Sequence, residues 1–264
     1  MFFGKSKERR VFFLNEASGQ VYKNCDRVRC VSSDENTFIV YFTISMNIQY
    51  YGDFCFKIST KPAGRATDDI VIWTDPLQKG SGLRSPQGQV DVVFLSHSDR
   101  EEIQEMFKAE TVVLDTPGEY AVKGISALGF RTFADAVNGV EKGQNTVFAF
   151  ESEDIHLCYL GSLGHDLTPE VLEKLNDIDI LFIPIGGSDT LDVKKAVDLV
   201  HKIEPRVVIP MHYKIAGLTL PLETEKAFCE ALGNCPAGSV SKLNIKKKDI
   251  EEKKMEIILL ERGV

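Results

Sequence analysis

Several features that mark common classes of protein are missing from this chain of 264 residues. There is no apolar run of about 18 residues and no apolar segment typical of a secretory signal, so neither a membrane-spanning helix nor export is indicated. The six cysteines are scattered without a C-x-x-C pair, and the spacing of Cys25 and Cys30 is a poor metal signal without a second pair. A reduced, cytoplasmic location is therefore predicted, with Cys55 and Cys158 as small residues of the core.

An excess of positive charge is missing as well. The 31 Lys and Arg residues are outnumbered by 39 Asp and Glu, which gives a net charge of −8. Such a chain has no general electrostatic attraction for phosphate backbones. The basic run at residues 242–256 is interrupted by acidic residues, and we predict a solvated turn between strands there. We expect neither nucleic acid nor membrane as a partner, whereas a small-molecule ligand and a homo-oligomer stay open.

What the sequence does contain is a series of short runs rich in β-branched and aromatic residues, separated by turn residues. The first half is predicted to be a β-meander, and the second half alternates strands with helices. Strands are predicted at 46–51, 55–60, 69–74, 90–96, 111–115, 125–130, 146–152, 155–161, 179–185, 206–211 and 255–261, and helices at 168–176, 190–203 and 222–233. This order predicts an α/β fold in which two sheets pack face to face with helices outside, a four-layer αββα sandwich.

The first 45 residues carry no motif that can be named. We predict a division into an N-terminal extension, residues 1–45, and a main domain, residues 46–264. Three interpretations of the extension stay open: a β-rich appendage, a partner-binding arm, or upstream sequence that a mis-assigned start has added.

Polar residues follow one buried strand in the stretch VFLSHSDREEI, residues 93–103. The end of that strand delivers His97, Asp99, Glu101 and Glu102 into a loop. Histidine and carboxylate side chains are the usual ligands of zinc, and an oxygen-rich set also suits manganese. The stretch therefore indicates a metal site.

Six segments together resemble the metallo-β-lactamase-fold hydrolases, in the branch that includes ascorbate-6-phosphate lactonase and uncharacterised Zn-dependent hydrolases. The resemblance runs in order over residues 46–264. It rests on MNIQYYGDFCFKI (46–58), VIWTDP (71–76), VDVVFLSHSDREEI (90–103), TPGEYAVKGI (116–125), YLGSLGH (159–165) and IPMHYK (209–214). It implies the same four-layer sandwich, with a dinuclear metal centre at the strand ends.

Most metal ligands of that family are changed in this chain. In the HxHxDH motif the first histidine is His97, and Asp99, Glu101 and Glu102 take the other three ligand positions. The third-motif histidine falls on Ala134, and the bridging aspartate of the LGDLGH segment falls on Ser162. The last-motif histidine is His212, and the histidine of an early GHSCF segment is Asp53.

The resemblance and these changes leave three states of the site open: the ancestral dinuclear centre, a mononuclear site, and no physiological metal. His97, Asp99 and His212 could form the mononuclear site, with Asp135, Glu101 or Glu102 as a fourth ligand. We therefore predict either no cofactor or a single weakly bound divalent metal, zinc or manganese. The corresponding function is a non-catalytic or altered-site paralogue of a metal-dependent hydrolase. The alternative is an active hydrolase of a small lactone-like or phosphorylated metabolite.

Two further residues are assigned roles around this site. His165 matches the LGDLGH segment and stands just before a predicted helix, where it could act as an acid or base. It could equally pack and hydrogen-bond near the start of that helix. Asp75, at a strand end, is predicted to orient His97 by hydrogen bonding.

Overall fold

The structure of the protein is a computed structural model. It describes residues 12–13, 28–32, 38–42, 45–62, 69–77, 80–97, 103, 105–187 and 190–263. The chain divides into two compact units, Met1–Ser45 and Met46–Val264. The described part of the first unit is an antiparallel sheet in the order β1-β3-β2, formed by β1 (Phe12–Phe13), β2 (Val28–Ser32) and β3 (Phe38–Phe42).

The second unit contains a sheet of six strands. Their order is β16-β4-β5-β6-β7-β8, with β4 (Met46–Gly52), β5 (Cys55–Thr60), β6 (Ile70–Thr74), β7 (Val92–Phe94), β8 (Val112–Leu114) and β16 (Leu243–Ile245). The first three pairs are antiparallel, but β6, β7 and β8 run parallel to one another. The predicted β-meander is therefore wrong for this part, because the connection after β6 is long enough to return the chain to the same end of the sheet.

A second sheet of seven strands lies in the same unit. Its order is β17-β14-β13-β12-β11-β10-β9, with β9 (Gly118–Val122), β10 (Ile125–Phe133), β11 (Gln144–Ser152), β12 (Ile155–Tyr159), β13 (Ile180–Pro184), β14 (Val207–Met211) and β17 (Glu256–Ile257). Strands β9 to β12 are antiparallel, and β12, β13, β14 and β17 are parallel.

Two predictions near the C-terminus are wrong. The predicted strand 255–261 is split into β17 and β18 (Leu259–Leu260), because β17 pairs with β14 whereas β18 pairs with β15 (Ser239–Val240). The predicted turn at 242–256 contains β16 and the short helix α4 (Lys247–Ile250), which is fixed by the fully buried Ile250 and by a 2.6 Å ion pair between Lys247 and Asp179.

The three predicted helices are confirmed, with shorter ends. Helix α1 (Pro169–Lys174) begins after Thr168, whose side chain accepts a hydrogen bond from the backbone of Val171. Asp192 caps α2 (Val193–Ile203), which buries the apolar face Ala196, Leu199, Val200 and Ile203. Helix α3 (Glu225–Leu232) ends at Gly233, in the left-handed conformation that glycine adopts without strain. No helix among the described residues combines the length and apolar character that crossing a bilayer requires.

The main core lies between the two sheets. Ring contacts join them directly, since Phe56 of β5 meets Phe182 of β13 and Phe94 of β7 meets Phe148 of β11, each with 4.8 Å between ring centroids. The buried faces of α2 and α3 belong to the same apolar cluster. A second cluster of Trp73, Val90, Val93, Leu95 and Ile103 covers the other face of the six-stranded sheet. The predicted αββα sandwich is confirmed, and so is the complete burial of Cys55 and Cys158.

Candidate metal centre and its surroundings

Residues with polar side chains follow the ends of parallel strands in both sheets. Asp75 follows β6 and His97 follows β7, whereas Ser162 and His212 follow β12 and β14. The ring of Phe54, in the turn between β4 and β5, contacts both histidines. Its centroid is 4.7 Å from that of His97, edge to face, and 4.3 Å from that of His212, with 14° between the stacked planes. The two unchanged histidines of the family pattern are thus brought together around one benzyl ring.

His212 is buried and held by Asp53. Its Nδ1 lies 2.6 Å from a carboxylate oxygen of Asp53, and its backbone N–H donates to the Asp53 carbonyl over 2.9 Å. His212 has a φ of +49° and Asp53 a φ of +54°, conformations that cost a non-glycine residue energy. Within the described part of the chain, Nε2 of His212 has no hydrogen-bond partner. Since Nδ1–H donates to the carboxylate, the unpartnered Nε2 carries a lone pair in the neutral imidazole.

His97 is oriented through Ser96 rather than by Asp75 directly. Its Nδ1 lies 2.7 Å from Ser96 Oγ but 3.7 Å from the nearer oxygen of Asp75. Ser96 donates to Asp75 twice, from Oγ over 2.5 Å and from its backbone N–H over 2.8 Å. A hydroxyl has one proton, and Ser96 donates it to Asp75, so His97 Nδ1–H donates to Ser96 Oγ; in the neutral ring Nε2 of His97 is then an acceptor. The His97 side chain is 26% exposed, so this acceptor is accessible to solvent.

Tyr159 and Thr74 fix the backbone that carries Phe54. The Phe54 carbonyl accepts from Tyr159 OH over 2.9 Å and from Thr74 Oγ1 over 2.7 Å. Tyr159 OH also lies 2.5 Å from Asp75 Oδ2. Burial raises the pKa of Tyr159 well above its ordinary value, and the charge of Asp75 raises it further, so the hydroxyl stays a donor.

Ser162 is placed against the same site by Asn145 and Gly161. The Ser162 N–H donates to the buried side-chain oxygen of Asn145 over 2.9 Å. Asn145 in turn donates to Thr132 Oγ1 and to the Leu160 carbonyl, over 2.8 and 3.0 Å. A β-carbon at Gly161 would overlap the side chain of Ser96, so glycine is required for this approach. The segment that carries Ser162 is therefore held close to Ser96, and Ser162 as a changed ligand position stays a prediction.

The carboxylate of Asp135 accepts hydrogen bonds from the backbone of its own loop. The two oxygens accept backbone N–H groups of four residues over 2.7–3.0 Å, those of Val137, Gly139, Glu141 and Lys142. Desolvation opposes ionisation, but these four donors outweigh it and lower the pKa of Asp135 below its ordinary value. Ala134, beside it, is buried and has no ligand atom in its side chain. Asp135 as a fourth ligand stays a prediction.

Both ring nitrogens of His165 are engaged by backbone groups. Nε2 accepts from the Phe133 N–H over 3.0 Å, and Nδ1 lies 2.7 Å from the Asp166 carbonyl, to which it donates. These two contacts are those of a neutral imidazole, which links β10 to the loop before α1. The acid–base role of His165 stays a prediction, and the observed contacts are those of the structural alternative.

The donors among the described residues do not fit a two-metal centre. No group of three or more His, Cys, Asp or Glu side chains in the described ranges is arranged to hold a metal ion. Asp99, Glu101 and Glu102, predicted as ligands, lie outside the described residues. His97 and His212 present acceptor nitrogens, but Ala134 and Ser162 supply neither the third histidine nor the bridging carboxylate.

Sequence reasoning missed Phe54 and Ser96. The signal for Phe54 was present, because the segment GDFCF of this chain has phenylalanine where the GHSCF segment has serine. Ser96 could have been noticed as the hydroxyl residue between the strand and His97, but its place between Asp75 and His97 depends on the backbone.

The sequence is similar to a known protein family and to several known proteins. Residues 47–212 match the family model described as a beta-lactamase superfamily domain. A UPF0173 protein of Pyrococcus abyssi is 27% identical over 195 residues, 65% of this chain and 85% of its own length. A UPF0173 metal-dependent hydrolase of Bacillus cereus is 25% identical over 225 residues, 72% of this chain and 94% of its own.

A solved structure from Thermotoga maritima shows the same likeness. That protein is described as a Zn-dependent hydrolase of the metallo-beta-lactamase superfamily. It superposes with a TM-score of 0.65 at 32% identity, covering 82% of this chain and 100% of its own.

Proposed function

Because this chain belongs to the beta-lactamase superfamily domain family, with metal-dependent hydrolases among its relatives, we propose that it is an altered-site member whose dinuclear metal centre is degenerate. In this proposal the protein is a non-catalytic paralogue that keeps the fold of a hydrolase. The observation that carries the proposal is the ring of Phe54, which contacts the imidazoles of both His97 and His212.

The chemistry of the ligand positions supports this proposal. A zinc ion takes about four ligands, and a two-metal centre needs a group that binds both ions. The hydroxyl of Ser162 has no negative charge to bridge two cations, and the methyl group of Ala134 has no lone pair. Losing both removes the groups that would hold the second metal.

The environment of Phe54 adds a second argument. Its ring is 5% exposed and contacts both imidazoles, so it covers one side of each. A cation loses hydration when it enters such a place, and this cost is recovered only if enough ligands replace the water. A benzyl ring in contact with both histidines supplies no such ligand.

A second candidate function is favoured by His212. A buried acceptor without a partner costs about 1–3 kcal/mol, so Nε2 of His212 favours a state in which something binds it. The Asp53 carboxylate on Nδ1 is the partner that a metal-bound histidine commonly has. The candidate is a mononuclear hydrolase of a lactone-like or phosphorylated small metabolite. A divalent metal there, zinc or manganese, would supply a Lewis acid and lower the pKa of a bound water.

Metal binding by the full-length, untagged protein separates the two candidates. The protein is purified without chelators, its metal content is measured, and its thermal unfolding is followed with Mn²⁺, Zn²⁺ or Mg²⁺ at about 100 μM. Metal stabilises by RT ln(1 + [L]/Kd), about 2.7 kcal/mol when the concentration is 100 times Kd. The degenerate site predicts no bound metal and no shift in the unmodified protein. A stabilisation that disappears in His97→Ala and His212→Ala would instead favour the mononuclear hydrolase.

Restoring the lost ligands gives the converse test. Ala134→His together with Ser162→Asp returns two family ligands and should create a metal-dependent rise in melting temperature. The matched control is Ala231→His with Ser126→Asp, which adds the same groups at exposed positions of two separate elements, α3 and β10. A gain in the control as large as in the restored protein would show that the effect is unspecific.

A further inference from the structure

Two cysteines lie near each other at the C-terminal end of α3. Cys229 lies inside the helix and is 2% exposed, whereas Cys235 lies in the loop beyond it and is exposed. Both are free thiols, and Cys235 lies close enough to Cys229 to raise the pKa of the Cys229 thiol. The other two cysteines whose burial the structure describes, Cys55 and Cys158, are fully buried in the core.

The backbone at the end of α3 brings the pair together. The Gly233 N–H donates to the Glu230 carbonyl over 3.1 Å, and the Asn234 N–H donates to the Cys229 carbonyl over 3.3 Å. These two bonds, with Gly233 at a φ of +74°, define a Schellman motif. Since Asn234 is bonded back to Cys229, the next residue, Cys235, is held over the same turn. The helix end therefore brings the chain at Cys235 back toward Cys229.

The two thiols differ in reactivity. Burial, together with a smaller effect of the neighbouring Cys235, raises the pKa of the Cys229 thiol to about 12, so Cys229 stays protonated. Cys235 is the sulfur that a dissolved oxidant meets first, because it is exposed. Thiol oxidation by peroxides follows exposure and thiolate formation, and a nearby second thiol diverts the first product to a disulfide. No metal-binding group of three donors occurs in the described part of the chain, so the pair is not explained as half of a metal site.

We propose that Cys229 and Cys235 are a peroxide-reactive pair that forms a reversible disulfide within the chain. The Cys235 thiolate attacks an oxygen of hydrogen peroxide, so that an S–O bond forms, the O–O bond breaks and hydroxide leaves to become water. The Cys229 sulfur then attacks the resulting sulfenic acid. An S–S bond forms, the S–O bond breaks, the Cys229 proton is released and a second water leaves. Two thiols lose two electrons, and one peroxide is reduced to two waters.

Peptide mass spectrometry on the full-length protein tests this. The reduced protein is treated with hydrogen peroxide, quenched, unfolded, alkylated with iodoacetamide and digested with trypsin. Residues 227–242 form one tryptic peptide that contains both cysteines and no internal Lys or Arg. We expect this peptide to lose the mass of two hydrogen atoms and to take no label, while dithiothreitol before alkylation restores two labels. Loss of label should be roughly tenfold or more faster than at Cys55 and Cys158, because buried thiols are inert.

Variants make each step testable. Cys235→Ser changes an exposed side chain and should leave Cys229 fully labelled after peroxide. In Cys229→Ala the reaction should stop at the sulfenic acid of Cys235, which dimedone traps. Cys158→Ala is the control and should leave disulfide formation unchanged. The proposal is overturned if peroxide takes Cys235 to a sulfinic acid while Cys229 remains labelled, if Cys235 links two chains instead, or if the peptide keeps both labels.

Discussion

The imidazole of His212 stacks on the ring of Phe54, with 4.3 Å between the ring centroids. This contact joins the end of a strand in one sheet to a turn in the other, and His97 contacts the same ring edge to face. An apolar ring thus contacts both histidines that the family resemblance singles out. The contribution of this ring to the free energy of unfolding can be measured.

Replacing Phe54 by Ala should lower the free energy of unfolding by about 3 kcal/mol, because a buried aromatic ring is removed and a cavity is left. Phe54→Leu, which keeps part of the apolar volume, should cost roughly half as much. Urea unfolding with an unchanged m-value checks both. Equal stability of Phe54→Ala and the unmodified protein would contradict the packing of this ring between the histidines.

Ser96→Ala should change the protonation of the His97 ring. Without the hydroxyl, Nδ1–H loses its acceptor and Asp75 loses one of its donors. We expect His97 to pass from the Nδ1–H tautomer to a mixture, detected by long-range ¹H–¹⁵N correlation of the ring. The loss of one buried hydrogen bond to a charged group should also cost about 1.5–3 kcal/mol.

Ser126→Ala, at an exposed position of β10, is the control for this change. It should leave both the His97 ring and the stability unchanged. A His97 spectrum that Ser96→Ala does not alter would mean that Ser96 does not orient the ring.

Asp135→Asn should destabilise the protein in a pH-dependent way. The folded-state pKa of Asp135 is lowered, so its contribution is present above the unfolded pKa of about 3.9 and is lost as the pH falls through the folded value. The melting temperature of Asp135→Asn should therefore lie below that of the unmodified protein at pH 7, and the difference should shrink below about pH 4. Melting curves between these values measure it.

The matched control for Asp135 is Glu141→Gln in the same loop. The backbone N–H of Glu141 donates to Asp135 whatever its side chain is. This variant should leave the pH profile almost unchanged. A difference for Asp135→Asn that stays constant over the whole pH range would contradict stabilisation by the ionised carboxylate.

A chain that begins at Met46 should fold and melt like the full-length protein. Residues between Met46 and Leu260 make up the main apolar cluster, so this part carries a core of its own. Circular dichroism melting compares the two chains. A loss of several degrees, which for a domain of this size corresponds to roughly 1–2 kcal/mol, would show that residues 1–45 pack on that core.

Much of the sandwich could be predicted because its strands are short apolar runs with turn residues between them. The strand ends that deliver His97 and His212 follow from the same pattern together with the family resemblance. The direction of the strands was harder to predict. Strand β7 is parallel to β6 because the segment between them brings the chain back to the end of the sheet at which β6 begins. The splitting of residues 255–261 depends on a change of partner strand, which no local pattern reports.

The surroundings of the histidines were the hardest part to predict. Phe54 lies in a turn in which Asp53 has a φ of +54°, a conformation that non-glycine residues rarely adopt. His97 Nδ1 lies 2.7 Å from Ser96 Oγ and 3.7 Å from Asp75. The spacing of these residues in the sequence cannot predict this difference of about 1 Å. The loop around Asp135 had a local signal in the Asn138–Gly139 pair, but four donors on one carboxylate follow only from the folded backbone.

The close approach of Gly161 to Ser96 has a consequence for how this protein can change. Ser96 follows a strand of one sheet and Gly161 a strand of the other, and the Thr146 N–H donates to the Ser96 carbonyl over 2.8 Å across the same junction. The backbone around Ser96, whose side chain positions His97, therefore also joins the two sheets of the sandwich at this edge. A substitution that creates a reactive site here must keep this contact between the two sheets. New activities at this edge are therefore expected from exchanges of single side chains that leave the backbone contact unchanged.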